Sequence, residues 1–126
     1  ANAADRFDVD WVDLGAIGWA GRPNSFERRS QFKDYIQSVW SRGAEPDLVL
    51  VDGRFRVACF LYSLAKAKPG CTILFDDYTN RPKYHLVEEF IQPTGFCGRQ
   101  GHFRVPETLD REAILAEADR FTYVMD

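Results

Sequence analysis

Three carboxylates that each close a short apolar run hold most of the chemistry this sequence offers. Asp52 ends "LVLVD", and Asp76 and Asp77 end "TILFDD". Adjacent aspartates repel each other, so a chain that sets such a pair at the mouth of a strand has a use for the charge. If the two runs are neighbouring strands, Asp52 meets the pair on one rim, close enough to share a cation or a cationic ligand. A hard divalent ion with oxygen ligands suits such a cluster. The plainer alternative is that Asp52-Gly53 makes a turn, a common role for that dipeptide, while Asp76 caps a loop. Asp13, after "DWV", is a further acid at a strand end.

Other side chains with chemistry lie near these acids in the sequence. His85 sits one turn into a helix that follows the acidic pair, where an imidazole serves as a general base near neutral pH, or else packs or meets solvent as most histidines do. His102 falls in an edge strand and reads as structural. Trp19, in a loop rich in glycine and aromatics, suits the wall of an acceptor pocket, whereas Trp40 belongs to a packed helix face. Arg54 and Arg56 suit recognition of an anionic acceptor or, equally, salt bridges to the acidic rim.

The elements that must position these residues alternate. "FDVDWVDLG" places Phe7, Val9, Trp11 and Leu14 on a strand that stops at Gly15. Ser25 caps a helix whose Phe32, Tyr35, Ile36, Val39 and Trp40 share one face, and Gly43 and Pro46 stop it. "DLVLVDG" and "CTILFDD" read as strands covered by helices on both faces. Between them Val57, Leu61, Leu64 and Ala65 make a helical stripe ended by Pro69-Gly70. Thr79 or Asn80 caps a further helix with Pro82 in its first turn and Tyr84, Val87 and Ile91 inward. The remainder reads as a polar strand in "GRQGHFRVP", a helix capped by Asp110, and a last strand in "FTYVMD", with one of these two strands antiparallel at the sheet edge. Strand, helix, strand, helix predicts a mostly parallel sheet joined by right-handed crossovers.

Composition bounds the partners. The chain has 126 residues, 45% of them apolar and 28% charged, with 16 Lys+Arg against 19 Asp+Glu. That is one globular domain, residues 1–126, without the basic patch a nucleic acid needs. No apolar run approaches the roughly 20 residues of a membrane span, and the expectation is a soluble cytoplasmic protein. Cys59, Cys71 and Cys97 have no zinc-ligand spacing and read as small buried hydrophobes of a reduced compartment.

The stretch "DLVLVDGRFRVACFLYSLAKAKPGCTILFDDYTNRPKYHLVEEF" resembles the second half of a class I S-adenosylmethionine-dependent methyltransferase, in the branch of bacterial methyltransferase-like proteins related to the macrocin O-methyltransferase type. The likeness is sharpest over residues 47–90, in the Asp-Gly that closes one strand and in the Pro-Gly, apolar strand, Asp-Asp-Tyr sequence that closes the next. It implies an α/β, Rossmann-like three-layer sandwich with a mostly parallel sheet and an antiparallel strand near the C-terminus, lacking the first two strands. "VDWVDLG" then corresponds to the third strand and "FTYVMD" to the antiparallel seventh. The chain is expected to be the C-terminal portion of the fold.

The same resemblance implies S-adenosylmethionine as cofactor and, in metal-dependent members, magnesium on Asp52, Asp76 and Asp77. Asp52 and His85 become the catalytic residues, and Asp13, Leu14 and Asp52 the cofactor contacts. Trp19, Arg54, Asp77, Tyr78 and Asn80 line the side of a small-molecule acceptor. Two departures stand out. Arg54 replaces an Asp that metal-dependent members carry, and no glycine-rich turn of the G-x-G-x-x-G kind occurs. The implied function is methyl transfer to an oxygen or nitrogen of a small molecule. Its alternative is a catalytically silent methyltransferase-like binding or oligomerisation module, and metal-assisted hydrolysis is a third reading. An open sheet edge would invite a second copy of the chain as a homodimer partner.

Overall fold

The structure is a computed structural model that describes residues 12–17, 23–43 and 45–125. The segment expected to form the first strand lies mostly outside these residues, as does Trp19, and Val12, Asp13 and Leu14 are not in a strand. The helix expected from Ser25 to Gly43 is broken into three. A 3-10 turn at Arg29–Gln31 leads into α1 (Phe32–Gln37), and a second 3-10 turn covers Trp40–Arg42. Ser25 accepts a hydrogen bond from the Glu27 N–H at 3.2 Å, which makes a local turn rather than a cap. Phe32 and Ile36 are buried but Val39 is exposed, so the inward stripe ends one turn early.

Strand β1 (Leu48–Val51), helix α2 (Arg56–Lys66) and strand β2 (Thr72–Phe75) form the expected crossover, and the two strands pair in parallel with Val51 opposite Phe75. Val57, Phe60, Leu61 and Leu64 give α2 a continuous buried face, as their spacing requires. Pro82–Glu89 is helical but winds as a 3-10 segment rather than an α-helix. Its inward residues Tyr84, Val87 and Phe90 recur every third position, which suits three residues per turn. No side chain caps this segment. The Thr79 hydroxyl donates instead to the Gly98 carbonyl at 3.1 Å.

A hairpin follows, β3 (Gly95–Cys97) and β4 (Gln100–Arg104), joined by a two-residue turn with Gly98 at a φ of 59°. Strand β4 runs antiparallel to β2 and gives the sheet order β1-β2-β4-β3. The antiparallel strand near the C-terminus is therefore Gln100–Arg104, whereas "FTYVMD" is not a strand over its described residues. Two causes act. The place beside β2 is already taken, and Thr122 and Met125 are buried while Tyr123 and Val124 are exposed, a pattern that no alternating strand gives. Gly101 sits where the Tyr78 ring crosses β4, and a Cβ there would lie 2.8 Å from Tyr78 Cδ1.

Helix α3 (Arg111–Arg120) starts as its sequence announces, with the Ala113 N–H donating to Asp110 Oδ1 at 3.1 Å. Its first residue also serves the neighbouring helix. Arg111 Nη1 donates to the Ala65 and Ala67 carbonyls at the end of α2, where a cation meets the negative end of the helix dipole.

Val51, Ile73, Phe75 and Phe103 face the main core together with Leu61, Leu64, Val87 and Ile114. A second cluster of Leu14, Phe32, Ile36, Phe55, Ala58 and Met125 lies beside it. Strand β1 differs from expectation: Leu48 and Leu50 are each 58% exposed, so among the described residues its other face is not covered. No described helix is long and apolar enough to cross a membrane.

The cysteines divide as well. Cys71 is buried, burial pushes the Cys59 thiol up to about 12, and Cys97 is exposed on β3. Only a thiolate reacts quickly with an alkylating agent. Iodoacetamide at mildly alkaline pH should label Cys97 alone in the native protein, with Cys59 and Cys71 following only after unfolding, as read by peptide mass spectrometry. Rapid native labelling of Cys59 would contradict its placement.

Candidate functional site

Parallel pairing of β1 with β2 brings their carboxyl ends side by side, and the Asp76 N–H continues the ladder by donating to the Val51 carbonyl at 3.0 Å. Asp52, Asp76 and Asp77 therefore share one rim. Each offers a carboxylate oxygen, and these three atoms lie within 4.8 Å of one another. The convergence expected from the sequence is present.

The rim contains a resident cation. Arg56, the first residue of α2, has only 6% of its side chain exposed. Its Nη1 donates to Asp77 Oδ2 at 3.1 Å and to the Asp76 carbonyl at 2.9 Å, Nε donates to the Gly53 carbonyl at 3.0 Å, and Nη2 lies 3.5 Å from Asp52 Oδ1. Asp77 also meets Arg81 at 3.6 Å through Oδ2 and Arg99 at 3.9 Å through Oδ1. Magnesium on the three acids would need short, near-octahedral contacts to carboxylates of which those of Asp52 and Asp77 already meet guanidinium groups. The guanidinium already stands among them, and this donor set does not fit a resident ion.

Backbone strain marks the same place. Phe55 and Asp77 are the described non-glycine residues with positive φ, at 56° and 55°. One directly precedes Arg56 and the other binds it. Such conformations cost on the order of 1–3 kcal/mol each and persist only where the surroundings hold them. Phe55 is held by the rings of Phe32 and Tyr35, with centroids 4.9 and 5.5 Å away.

Desolvation raises the Asp52 pKa above the usual aspartate value, and a hydrogen bond and repulsion from Asp76 add to the rise against the pull of Arg56. Half of the Asp52 side chain, 49%, still meets solvent. Asp52 thus holds a proton more readily than an ordinary surface acid while remaining reachable.

The loop after Asp52 is fitted to α1. The Tyr35 hydroxyl accepts from the Arg54 N–H at 3.2 Å, and a Cβ on Gly53 would stand 2.5 Å from that hydroxyl oxygen. Tyr35, Trp40, Leu50 and Cys59 then wall a largely apolar cavity of 310 Å³ that ends at Asp52, Gly53 and Arg54.

The remaining candidates separate. Asp13 accepts from the Gly15 N–H at 2.9 Å, pairs with Arg28 at 3.6 Å and lines a different, polar cavity of 420 Å³ with Gln31, Asp34 and Ser38. Leu14 is buried in the second core. Tyr78 stands in the main core, its hydroxyl bonded to Glu88, and burial raises its pKa further than that contact does. The His85 ring lies tilted against Tyr78 with centroids 4.5 Å apart, and its Nε2 meets the Tyr78 carbonyl at 2.9 Å. Asn80 is exposed. Trp19 lies outside the described residues.

The sequence does not single out Arg99, offers Tyr35 only as part of a packed helix face and Arg81 only as part of a segment approaching an acceptor, and gives Arg56 as one of two arginines for either an anion or the rim. A signal for Arg56 existed: an arginine opening a helix puts a cation at the positive end of the dipole, which is unfavourable unless carboxylates are waiting there.

These features place the chain among known folds. Its fold is methyltransferase-like. The crystal structure of a methyltransferase-like protein from Silicibacter pomeroyi is 36% identical in sequence and superimposes with a TM-score of 0.78 over 90% of this chain. The match spans 59% of that protein's chain, so this sequence corresponds to about three-fifths of its length. Neither the protein-family models nor the curated proteins give a match.

Two outcomes follow for this acidic rim. Gly53→Ala should lower stability by about 1–3 kcal/mol through overpacking, and Tyr35→Phe in the same chain should restore most of it by removing the clashing oxygen; urea midpoints decide, and no rescue would refute the contact. The second concerns pH. A carboxyl whose folded pKa is raised contributes stability that is present at acid pH and lost as pH rises through that pKa. Relative to Asp52→Asn, the wild type should therefore lose melting temperature as pH rises above the ordinary aspartate value of about 4. A gain there would reverse the sign of the shift.

Proposed function

We propose that this chain is the catalytic-rim portion of a class I, Rossmann-like methyltransferase that moves a methyl group from S-adenosylmethionine to an oxygen or nitrogen of a small molecule. The observation that carries the reading is the gathering of Asp52, Asp76 and Asp77 at the carboxyl ends of adjacent parallel strands, where open α/β sheets bind ligands. The 36% identity to a methyltransferase-like protein supports it.

The donor, when bound, supplies an electrophilic methyl group on a sulfonium. The apolar cavity walled by Tyr35, Trp40 and Leu50 suits a flat ring such as adenine, with Asp52 at its end. Asp52 is the better placed base. It is half-exposed and its pKa lies nearer neutrality than an ordinary aspartate's, which favours taking the proton that an acceptor hydroxyl or amine must lose. As the acceptor oxygen or nitrogen bonds to the methyl carbon, the carbon–sulfur bond breaks and the sulfur leaves neutral. Arg56, itself anchored by Asp77, pairs with Asp52 and holds it in place. His85, with Nε2 committed to the Tyr78 carbonyl, has only Nδ1 left for proton chemistry. Arg54 and Asn80 are assigned to the acceptor side.

Calorimetric titration of the intact protein with S-adenosylmethionine and S-adenosylhomocysteine tests this. Both should bind, and Asp52→Asn should retain donor binding while lowering turnover by about two to four powers of ten, the usual share of a general base. A folded protein that gives no heat at millimolar donor would instead be a silent binding module.

A further inference from the structure

We propose that Arg56 is the permanent counter-ion of the acidic rim, holding the position a divalent metal would need, so that the rim operates with a guanidinium and no resident ion. The argument rests on geometry and charge. Arg56 reaches both strand ends at once, with Asp52 at 3.5 Å on one side and Asp77 at 3.1 Å on the other, and fixes the Asp76 and Gly53 carbonyls besides. At 6% exposure it is part of the interior, not a surface arginine that swings aside.

The charge on the rim is also met. Arg56, Arg81 and Arg99 bring three guanidinium groups within 4 Å of the Asp52 and Asp77 carboxylates, and Asp76 gives Arg56 its main-chain carbonyl. A divalent ion entering this set must displace guanidinium groups already paired with Asp52 and Asp77 and must still give up tightly held water. Both oxygens of Asp77 are engaged, Oδ2 by Arg56 and Arg81 and Oδ1 by Arg99. Placing an arginine at the first position of α2 is costly against the helix dipole, and the helix has no acid in its first turn to offset it. Asp52, four residues earlier, and Asp77 supply the offset. A planar, always charged guanidinium with several fixed donors can bridge two carboxylates and two carbonyls together, which an ammonium cannot.

This inference deepens the methyl-transfer reading by making Asp52, rather than a metal, responsible for the acceptor's proton, but its test stands apart from donor binding. Mn²⁺ is added to the intact protein and the free-ion signal is followed by electron paramagnetic resonance. The wild type should leave that signal undiminished into the millimolar range. Arg56→Ala should open the site and bind Mn²⁺ at least tenfold more tightly, with loss of that binding when Asp77→Asn is added. If Arg56→Ala does not fold, Arg56→Lys, whose point charge bridges less, is titrated in its place, and the wild-type titration decides in either case. Tight Mn²⁺ uptake by the wild type that Asp77→Asn removes would overturn the proposal. So would a folded Arg56→Ala protein that still takes up no ion.

Discussion

A guanidinium removed from water stabilises a fold only when carboxylates and carbonyls surround it, and breaking such a buried pair from one side costs about 3–5 kcal/mol. Arg56 imposes that constraint here. Its partners come from the turn after β1 and the turn after β2, so the two strand ends must stay in register for the guanidinium to be satisfied. The parallel pairing places the ends; the arginine makes their positions mutually dependent.

The hairpin is drawn into the same arrangement. The Tyr78 N–H donates to the Arg99 carbonyl at 2.7 Å, and Thr79 bonds to Gly98, so the loop carrying Asp77 is tied to the β3–β4 turn. Arg99 then approaches Asp77 from that turn. Beneath it, Tyr78 packs on Phe75 and Phe103 and seals the core under the rim. Polar atoms above and aromatic rings below make a rigid floor for a half-exposed carboxylate. A carboxyl whose pKa is held above the ordinary value needs that combination, since free rotation would let solvent restore it.

Much of this was legible in the sequence because it is written in short-range terms. The α2 stripe, the Asp110 cap and the two apolar runs closed by acids each follow from spacing within a few residues. The partner of the acids was harder to read. Arg54 and Arg56 are both two to four residues from Asp52, and nothing in that spacing says that Arg56, which opens α2, is the one that bridges Asp52 and Asp77. In the Pro82–Glu89 segment Tyr84, Val87 and Ile91 satisfy the α-helical period, yet Tyr84, Val87 and Phe90 equally satisfy the period of three that formed. Strand β3 was missed because three residues beside a Pro give almost no periodic signal. The last strand was misplaced for a tertiary reason: "FTYVMD" and "QGHFR" compete for one edge of β2, and nothing local in either decides which wins.

Phe55 shows how the cores and the rim come to depend on one another. Its left-handed backbone is unfavourable for a bulky residue. The conformation is held because the ring is fully buried against Phe32 and Tyr35 in the second cluster. Tyr35 in turn touches the Asp52–Arg54 loop through its hydroxyl. Relaxing Phe55 to an ordinary φ would rotate the start of α2, carry Arg56 away from Asp77, and withdraw the ring from its pocket together. Packing energy from α1 is thus what keeps a strained turn in place, and the strained turn is what aims the guanidinium. The acidic rim, although its charged atoms come from the turns after β1 and β2, from α2 and from Arg81 and Arg99, is held in shape by a hydrophobic cluster that contributes none of them.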